Sequence, residues 1–199
     1  MAWKIENWLA DVFPGAPDIY HEYRHLTRRE LVIVSAGVLD IALAQLLSMR
    51  LRGTEHEKEE FLGLNGDGRA PVGSFGARIQ LGLLTGILTS EDVEILRIIK
   101  NLRNYFAHRV KVDFTSPEVL PLVRKLCEKW EERINKIVIE SSSPKIKGAG
   151  ISEIRKYLEF EPEAGAGLLL SIFTVYQAYF HRLIDLVNPI EDVVSNRMN

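Results

Sequence analysis

The sequence predicts an all-α protein, a helical bundle with long central helices. Apolar residues recur at helical spacing through most of the chain, and no stretch shows the sustained two-residue alternation of a half-buried strand. The apolar segments are flanked by residues that start or stop helices. The longest apolar segment in the first half of the chain, for example, follows Thr27 and ends before Gly53. We therefore expect helices packed against helices and no sheet.

Four of the predicted helices begin at a recognisable signal. Thr27, Ser74, Ser90 and Ser116 are small polar residues placed to accept hydrogen bonds from a first helical turn. Pro117 then occupies a first helical position, where its missing N–H costs nothing. In chain order the predicted helices cover residues 2–13, 17–27, 28 to about 52, 75 to about 88, 91–110, 117 to about 139, 151–160 and 164–187, and residues 55–64 are predicted to form a surface helical turn.

Length and composition bound the organisation of the chain. Its 199 residues are enough to bury a substantial core. We expect a bundle core over residues 1–139, a linker over 140–150, and a helical segment over 151–199 that packs on the bundle or on a partner. With 25 basic and 27 acidic residues there is no positive excess, so duplex DNA is not an expected direct ligand. The lone Cys127 fits a reducing, cytoplasmic setting.

Two apolar stretches, 31–47 and 164–180, approach the length of a membrane span. Asp40 interrupts the first and Gln177 the second, and an aspartate at the centre of a bilayer costs about 2.5–3.5 kcal/mol. We interpret both stretches as buried helices rather than membrane spans. Asp40 and Gln45 then need hydrogen-bond partners, and a satisfied core role is favoured over catalysis. Arg78 is the only charge of its helix, where Gly82 and Gly86 suggest a close helix approach.

Two other stretches match parts of known site motifs but are not favoured as sites. The run GLNGDGRAPVGSFG (63–76) lacks the Gly-Lys-Ser/Thr ending of a P-loop, so a structural connector is favoured over a phosphate cradle. The segment HEYRH, from His21 to His25, matches the zinc-binding pattern H-E-x-x-H. It follows Pro17 on a short helix without a third-ligand motif, so a polar surface turn is favoured and no metal or other cofactor is expected.

Residues 90–110, SEDVEILRIIKNLRNYFAHRV, give the clearest helix and carry the most chemically reactive side chains. At about 100° per residue, one face is apolar and a narrow polar stripe lies opposite. The apolar face comprises Ile95, Ile98, Ile99, Leu102, Tyr105 and Phe106, and the stripe comprises Arg97, Asn101, Asn104 and His108. We expect the first face to enter the core and the second to meet solvent or a partner.

Arg103 and His108 cannot hold one small group from a single straight helix. Their spacing corresponds to about 7.5 Å of rise and about 140° of rotation. Either the helix loosens near Ala107, or the two side chains meet across a symmetric interface between two copies of the segment. The second alternative predicts a homodimer.

Three runs carry a family resemblance: RELVIVSAGVLDIALAQLL, PVGSFGARIQLGLLTGILT and EILRIIKNLRNYFAHRVKVDFTSPEV. Over residues 28–120 the chain resembles the mannitol operon repressor-type proteins, and the Gly-Ser-Phe-Gly-Ala-Arg block is the most specific part. The resemblance implies an all-helical fold and a role in regulating sugar-operon transcription. Because that family lacks an evident DNA-reading motif, contact with a protein partner is the implied route.

The run RNYFAH also resembles the signature of the HEPN superfamily, an Arg and a His separated by four to six residues with a polar residue after the Arg. This resemblance implies a metal-independent ribonuclease, a homodimer with a shared cleft, and a role as a toxin or defence effector. It implies catalytic roles for Arg103, Asn104 and His108. The nearby residues predicted to contact RNA or a partner are Arg97, Lys100, Asn101 and Arg109.

The implied chemistry is coherent. Cleavage of RNA by its own 2′-hydroxyl needs a proton acceptor, a proton donor and positive charge at the phosphate. His108 can transfer protons near neutral pH, Arg103 can bind phosphate oxygens, and Asn104 can orient either group. Two functions therefore stay open. A non-catalytic regulatory protein acting through protein partners is favoured, and an endoribonuclease, controlled by a regulatory protein or antitoxin, is the alternative.

Overall fold

A computed structural model describes residues 26–65, 69–126 and 128–129 of the chain. Within these residues there are helices and turns and no strand, so the prediction of an all-α fold is confirmed. The helices and their bounds are α1 (Arg28–Arg50), α2 (Glu55–Leu62), α3 (Phe75–Leu84) and α4 (Ser90–His108). Residues 120–126 are also helical and are called α5.

Several sequence predictions fall on other parts of the chain. The helix over 2–13, most of the helix over 17–27 and the HEYRH segment lie outside the described residues. So do the linker over 140–150 and the helices predicted beyond it. The division of the chain into a bundle, a linker and a C-terminal segment therefore stays a prediction.

Three of the helices begin with a reciprocal capping box. In α1, α2 and α4 a threonine hydroxyl accepts a bond from the backbone N–H three residues on, and the acidic side chain there accepts one from the threonine N–H. The Thr27 hydroxyl and N–H lower the pKa of Glu30, and the Thr54 N–H and hydroxyl lower the pKa of Glu57. The predicted caps at Thr27 and Ser74 are confirmed.

The predicted N-cap of α4 is wrong by one residue. Thr89 caps this helix, and Ser90 is its first helical residue. The Asp92 carboxylate accepts from the Thr89 hydroxyl at 2.7 Å and from the Thr89 N–H at 3.0 Å. Because a capping box needs an acidic side chain three residues after the cap, Asp92 selects Thr89 over Ser90.

The end of α3 comes earlier than predicted. The helix stops at Leu84 rather than near Leu88. Gly86 has a φ of +72°, a left-handed conformation that glycine adopts most readily, and the N–H groups of Ile87 and Leu88 turn back to the Gly82 carbonyl. The close approach predicted at Gly82 is confirmed. The one predicted at Gly86 is wrong, since a side chain there would meet nothing within 4 Å.

The turn after α4 differs from the prediction that Ser116 caps the next helix. The Ser116 hydroxyl accepts from the Asp113 N–H at 2.9 Å, so it closes the turn that precedes it. Its carbonyl accepts from the N–H groups of Val119 and Leu120, and regular helix begins at residue 120. An ion pair of 2.9 Å between Asp113 and Arg28 of α1 holds the turn in place. The predicted cap at Ser116 is therefore wrong.

The core of the described residues is built around α1, which packs against α2, α3 and α4. Its buried side chains form one apolar cluster with those of α3, α4 and α5. The largest fully buried side chains are Phe106, Leu39, Leu43, Leu46, Leu47, Leu62, Ile79 and Ile95. Burial of one such side chain stabilises the folded state by about 1.5–3 kcal/mol. The buried side chains of α1, the predicted central helix, are therefore important for the stability of the fold.

By length and composition alone, α1 is also the one helix of the described residues that could cross a membrane. In the structure, 61% of its apolar window is buried inside the protein. Asp40 lies within that window and forms an ion pair with Arg78 of α3. The helix therefore has the packing of a core helix in this part of the chain.

Replacement of Gly82 by alanine is expected to destabilise the fold. A Cβ at this position would lie 2.8 Å from Leu88 Cδ1 and 2.9 Å from its Cγ, which is closer than carbon atoms pack. Overpacking at this position should lower the free energy of unfolding by about 1–3 kcal/mol. The higher helix propensity of alanine should offset about 1 kcal/mol of that loss. Urea denaturation followed by circular dichroism measures the change.

Gly37→Ala in α1 is the matched control. Gly37 is exposed, and a Cβ there would meet nothing within 4 Å, so alanine should stabilise the protein by up to about 1 kcal/mol. Equal stabilities of Gly82→Ala and Gly37→Ala would contradict the tight packing described at Leu88.

Candidate functional site

The helix α4 separates a buried face from an exposed one, as predicted. The predicted apolar residues that are buried are Ile95, Ile98, Ile99, Leu102 and Phe106. Tyr105 is half-buried at the edge of this face. Because α1 and α3 pack against α4, the orientation of the helix is set by its apolar side.

The polar side chains predicted as a site lie on the other side of α4. We call this surface the α4 flank. It consists of Arg97, Lys100, Asn101, Arg103, Asn104 and His108. Lys100 and Asn104 are half-buried and the other members are exposed. All of the predicted site residues except Arg109 therefore lie on the polar part of the surface of one helix, with Arg103 at its edge, about 140° around the axis from His108.

The helix does not loosen before His108, which was one of the two arrangements considered above. α4 is regular to His108, and the Arg109 N–H still donates to the Tyr105 carbonyl at 3.2 Å. Arg103 and His108 consequently keep a separation of about 140° around the helix axis. Within one copy of α4 they do not converge, so a meeting across two copies is the arrangement that stays open.

Arg103 and Asn104 form a local pair on the α4 flank. The Arg103 guanidinium donates to Asn104 Oδ1 at 3.2 Å. His108 lies one turn beyond Asn104, and it has no hydrogen bond or ion pair with any residue that the structure describes. The arrangement can bind an anion at Arg103 and exchange a proton at His108, at two separate points of the surface.

The helix α3 borders the α4 flank on one side. The Arg97 guanidinium donates to Gln80 Oε1 of α3 at 2.8 Å. Lys100 lies over the start of α3, where a Cβ added to Gly76 would be 3.5 Å from its Nζ. Both contacts orient cationic side chains without a carboxylate, so their positive charges are not neutralised by α3.

Arg109 is the predicted site residue that the structure places elsewhere. It is the C-cap of α4 and has an extended backbone, which turns the chain away from the helix. Its guanidinium donates to Glu118 at 2.7 Å and lies 5.0 Å from the centre of the Tyr105 ring. Arg109 thus takes part in an ion pair and a cation–π contact at the end of the flank.

Two arginines at the start of α1 contact the chain around the end of α4. Arg28 donates to both carboxylate oxygens of Asp113, at 2.9 and 3.1 Å. Arg29 donates to the carbonyls of Ala107 and Val110, at 3.5 and 3.4 Å. A cation near the last carbonyls of a helix satisfies acceptors and complements the helix dipole. These contacts were not predicted, because two adjacent arginines in a sequence carry no signal for a distant partner.

The ion pair between Arg78 and Asp40 was likewise not predicted from the sequence. The Arg78 guanidinium donates to Asp40 Oδ1 of α1 at 2.6 Å, to the Leu62 carbonyl at 2.6 Å and to the Val72 carbonyl at 3.1 Å. Asp40 is therefore a half-buried group whose hydrogen-bond partner is supplied by Arg78, as the favoured interpretation predicted. A signal was present, because each residue is the lone charge of an apolar segment and the two charges are opposite.

The same contacts bear on the glycine-rich run. Leu62 immediately precedes the run and Val72 lies within it, and Arg78 binds the carbonyl of each. The anchored groups are acceptors, whereas a phosphate cradle presents backbone donors. The geometry of the described part of the run fits the favoured role as a structural connector.

The electrostatics of Asp40 connect the core to the α4 flank. Burial raises the pKa of Asp40, and the guanidiniums of Arg78 and Arg103 oppose part of that shift. Arg103 is thus close enough to Asp40 to influence its charge state while remaining exposed.

Comparison with known proteins finds no matching family model, no matching curated protein and no matching solved structure. Within the described residues there is no group of three or more histidine, cysteine, aspartate or glutamate side chains that could hold a metal ion. The family resemblances therefore rest on the sequence runs quoted above and stay predictions.

Arg78→Met is expected to destabilise the protein more than Asp40→Asn. The first change leaves a partly buried carboxylate and two carbonyls without their donor, which typically costs about 3–5 kcal/mol. The second keeps an oxygen that can accept from Arg78, so we expect a loss of about 1–2 kcal/mol. Urea denaturation of both variants measures the difference. A larger loss in Asp40→Asn would show that the carboxylate, rather than the arginine with its two carbonyls, stabilises this contact.

The stability of the protein should also report the ionisation of Asp40. Because its pKa is raised above the usual 3.8, the folded state holds this proton more tightly than the unfolded state does. The stability that this tighter proton binding gives to the folded state is complete at pH values below the pKa of Asp40 in the unfolded state. It is lost as the pH rises through the pKa of Asp40 in the folded state. Relative to wild type, Asp40→Asn should therefore become more stable as the pH rises from below 3.8 to neutrality. Urea denaturation of both proteins over this pH range tests the prediction. A difference in the free energy of unfolding that does not change with pH would contradict it.

Proposed function

We propose that this protein is a non-catalytic, transcription-associated regulatory protein of the mannitol operon repressor type, which acts in the cytoplasm by binding protein partners. The observation that carries the proposal is the α4 flank, a cationic and amide surface on the exposed side of a helix whose other side is in the core. A rigid helix that presents such a surface is suited to contact with a partner. In one chain it does not gather Arg103 and His108 around one reacting group.

The extent of the resemblance supports the same function. It covers residues 28–120, and α1 to α4 lie within that range. The balance of 25 basic and 27 acidic residues supports a protein partner rather than direct binding of duplex DNA. We propose that the protein acts as a homodimer, the commonest closed assembly of soluble proteins.

A metal-independent HEPN-type endoribonuclease is the alternative, and one observation favours it. Arg103 and Asn104 are hydrogen bonded on the exposed side of α4, one turn before a histidine that is unpartnered among the described residues. In a homodimer, Arg103 of one copy can stand beside His108 of the other. One imidazole then takes the 2′-hydroxyl proton as that oxygen attacks phosphorus, the bond to the 5′-oxygen breaks, and an imidazolium protonates the leaving oxygen. Such an enzyme would act as a toxin or defence effector under the control of an antitoxin.

A ribonuclease assay separates the two functions. We expect the full-length protein to leave single-stranded and structured RNAs intact in the presence of EDTA, with the same background as His108→Ala and Arg103→Ala, because no composite site forms. Gel electrophoresis of labelled RNA measures cleavage, and light scattering of the same samples gives the oligomeric state. The complex with a regulatory partner should form equally well with wild type and His108→Ala.

His56→Ala is the matched control, since His56 is an exposed histidine on α2. Suppose that wild type and His56→Ala cleave RNA in EDTA while His108→Ala and Arg103→Ala do not, with unchanged circular dichroism. That pattern would overturn the regulatory function and establish the nuclease.

A further inference from the structure

The α4 flank has one sign of charge along its length. Glu94, the last carboxylate of α4 before the flank, forms an ion pair with Lys129 at 3.2 Å. From Arg97 to His108 the sequence contains no aspartate or glutamate. The neighbouring carboxylate of Asp40 forms its ion pair with buried Arg78, and Arg103 acts on it through its charge without forming an ion pair. In a chain of net charge −2, this concentration of positive charge is local and specific to one helix side.

Three of the cations stand in a regular row. Arg97, Lys100 and Arg103 follow each other at intervals of three residues, which corresponds to about 4.5 Å of rise and about 60° of rotation per step, so the row winds partly around α4. None of them has an ion pair among the described residues, since Arg97 donates to a glutamine and Arg103 to an asparagine. The row therefore presents charges that a partner can neutralise.

The row matches the spacing of carboxylates on another helix. Side chains three or four residues apart on a helix have Cβ atoms about 5–6 Å apart, so glutamates at that spacing can face successive members of the row. The amide groups of Asn101 and Asn104 lie beside the row and can donate to the same carboxylates. Charge and spacing together point to an acidic helical segment.

The aromatic neighbour of the row favours carboxylates over nucleic-acid bases. Single-stranded RNA is bound largely by stacking of bases on aromatic faces. Tyr105, the aromatic side chain next to the flank, is half-buried and already has the Arg109 guanidinium 5.0 Å from its ring centre. The described part of the α4 flank therefore provides charged and amide groups for contact with a partner.

We propose that the α4 flank binds an acidic helical segment of a partner protein, whose carboxylates pair with Arg97, Lys100 and Arg103. This proposal rests on the proposed regulatory function and names the chemistry of its partner. The negative segment steers association, and the three cations and two amides set its position along α4.

Fluorescence anisotropy with the full-length protein tests the proposal. The probes are a labelled helical peptide with glutamates at every third or fourth position, the same peptide with glutamines, and a single-stranded RNA with the same number of negative charges. We expect the glutamate peptide to bind at least about tenfold more tightly than the other two at about 100 mM KCl. Raising the salt concentration should weaken its binding.

Charge-matched variants locate the binding surface. The triple variant Arg97→Gln/Lys100→Gln/Arg103→Gln should raise the Kd of the glutamate peptide by at least about tenfold. The control triple variant is Arg52→Gln/Arg124→Gln/Lys125→Gln, which removes the same charge from exposed positions outside α4 and should change the Kd by less than about twofold. Circular dichroism and the urea midpoint verify that both variants fold.

Four results would overturn the acidic partner: tighter binding of the RNA, equal binding of the glutamine peptide, equal losses in the two triple variants, or no saturable binding of the glutamate peptide. These failures are distinct from failure of the regulatory function. Only EDTA-resistant cleavage that depends on Arg103 and His108 removes that function, whereas a negative peptide assay without cleavage leaves a regulator that uses another surface.

Discussion

A single buried guanidinium joins three of the described helices, α1, α2 and α3. Arg78 of α3 binds Asp40 of α1 at 2.6 Å and the carbonyls of Leu62 and Val72, which lie at the end of α2 and in the loop after it. A buried cation costs several kcal/mol in lost hydration unless its donors are satisfied. Because the acceptors come from three separate segments, the charge can be buried only when those segments have come together. The interaction therefore specifies an arrangement of helices more than it adds net stability.

That arrangement also determines what α4 presents to its surroundings. α1 and α3 cover the apolar side of α4, where Leu102 and Phe106 are buried, and Arg28 and Arg29 hold the chain around its end. The polar side is turned outward as a consequence of this packing. Its cations are consequently available for partners, while the core residues behind them keep the helix in one orientation.

The sequence predicted helix positions more reliably than the details of their ends. Thr27 and Ser74 cap as expected, because the hydroxyl of each accepts a backbone N–H of the first turn. Ser90 does not, since Asp92 forms a capping box with the preceding threonine. Ser116 fails for a different reason, because its hydroxyl accepts from a loop N–H that an ion pair with α1 holds nearby. Equally good local signals compete, and the neighbouring structure selects among them.

The helical class and the two-sided character of α4 were determined by the sequence itself, because hydrophobic spacing and capping act over a few residues. The pairing of Asp40 with Arg78, 38 residues apart, was decided by the tertiary structure. The tertiary structure also decided the contacts of Arg109, which binds Glu118 and is not part of the α4 flank. In an extended chain such a side chain can reach several partners. Its partner is fixed only when packing brings one of them within hydrogen-bond distance and excludes water from the others.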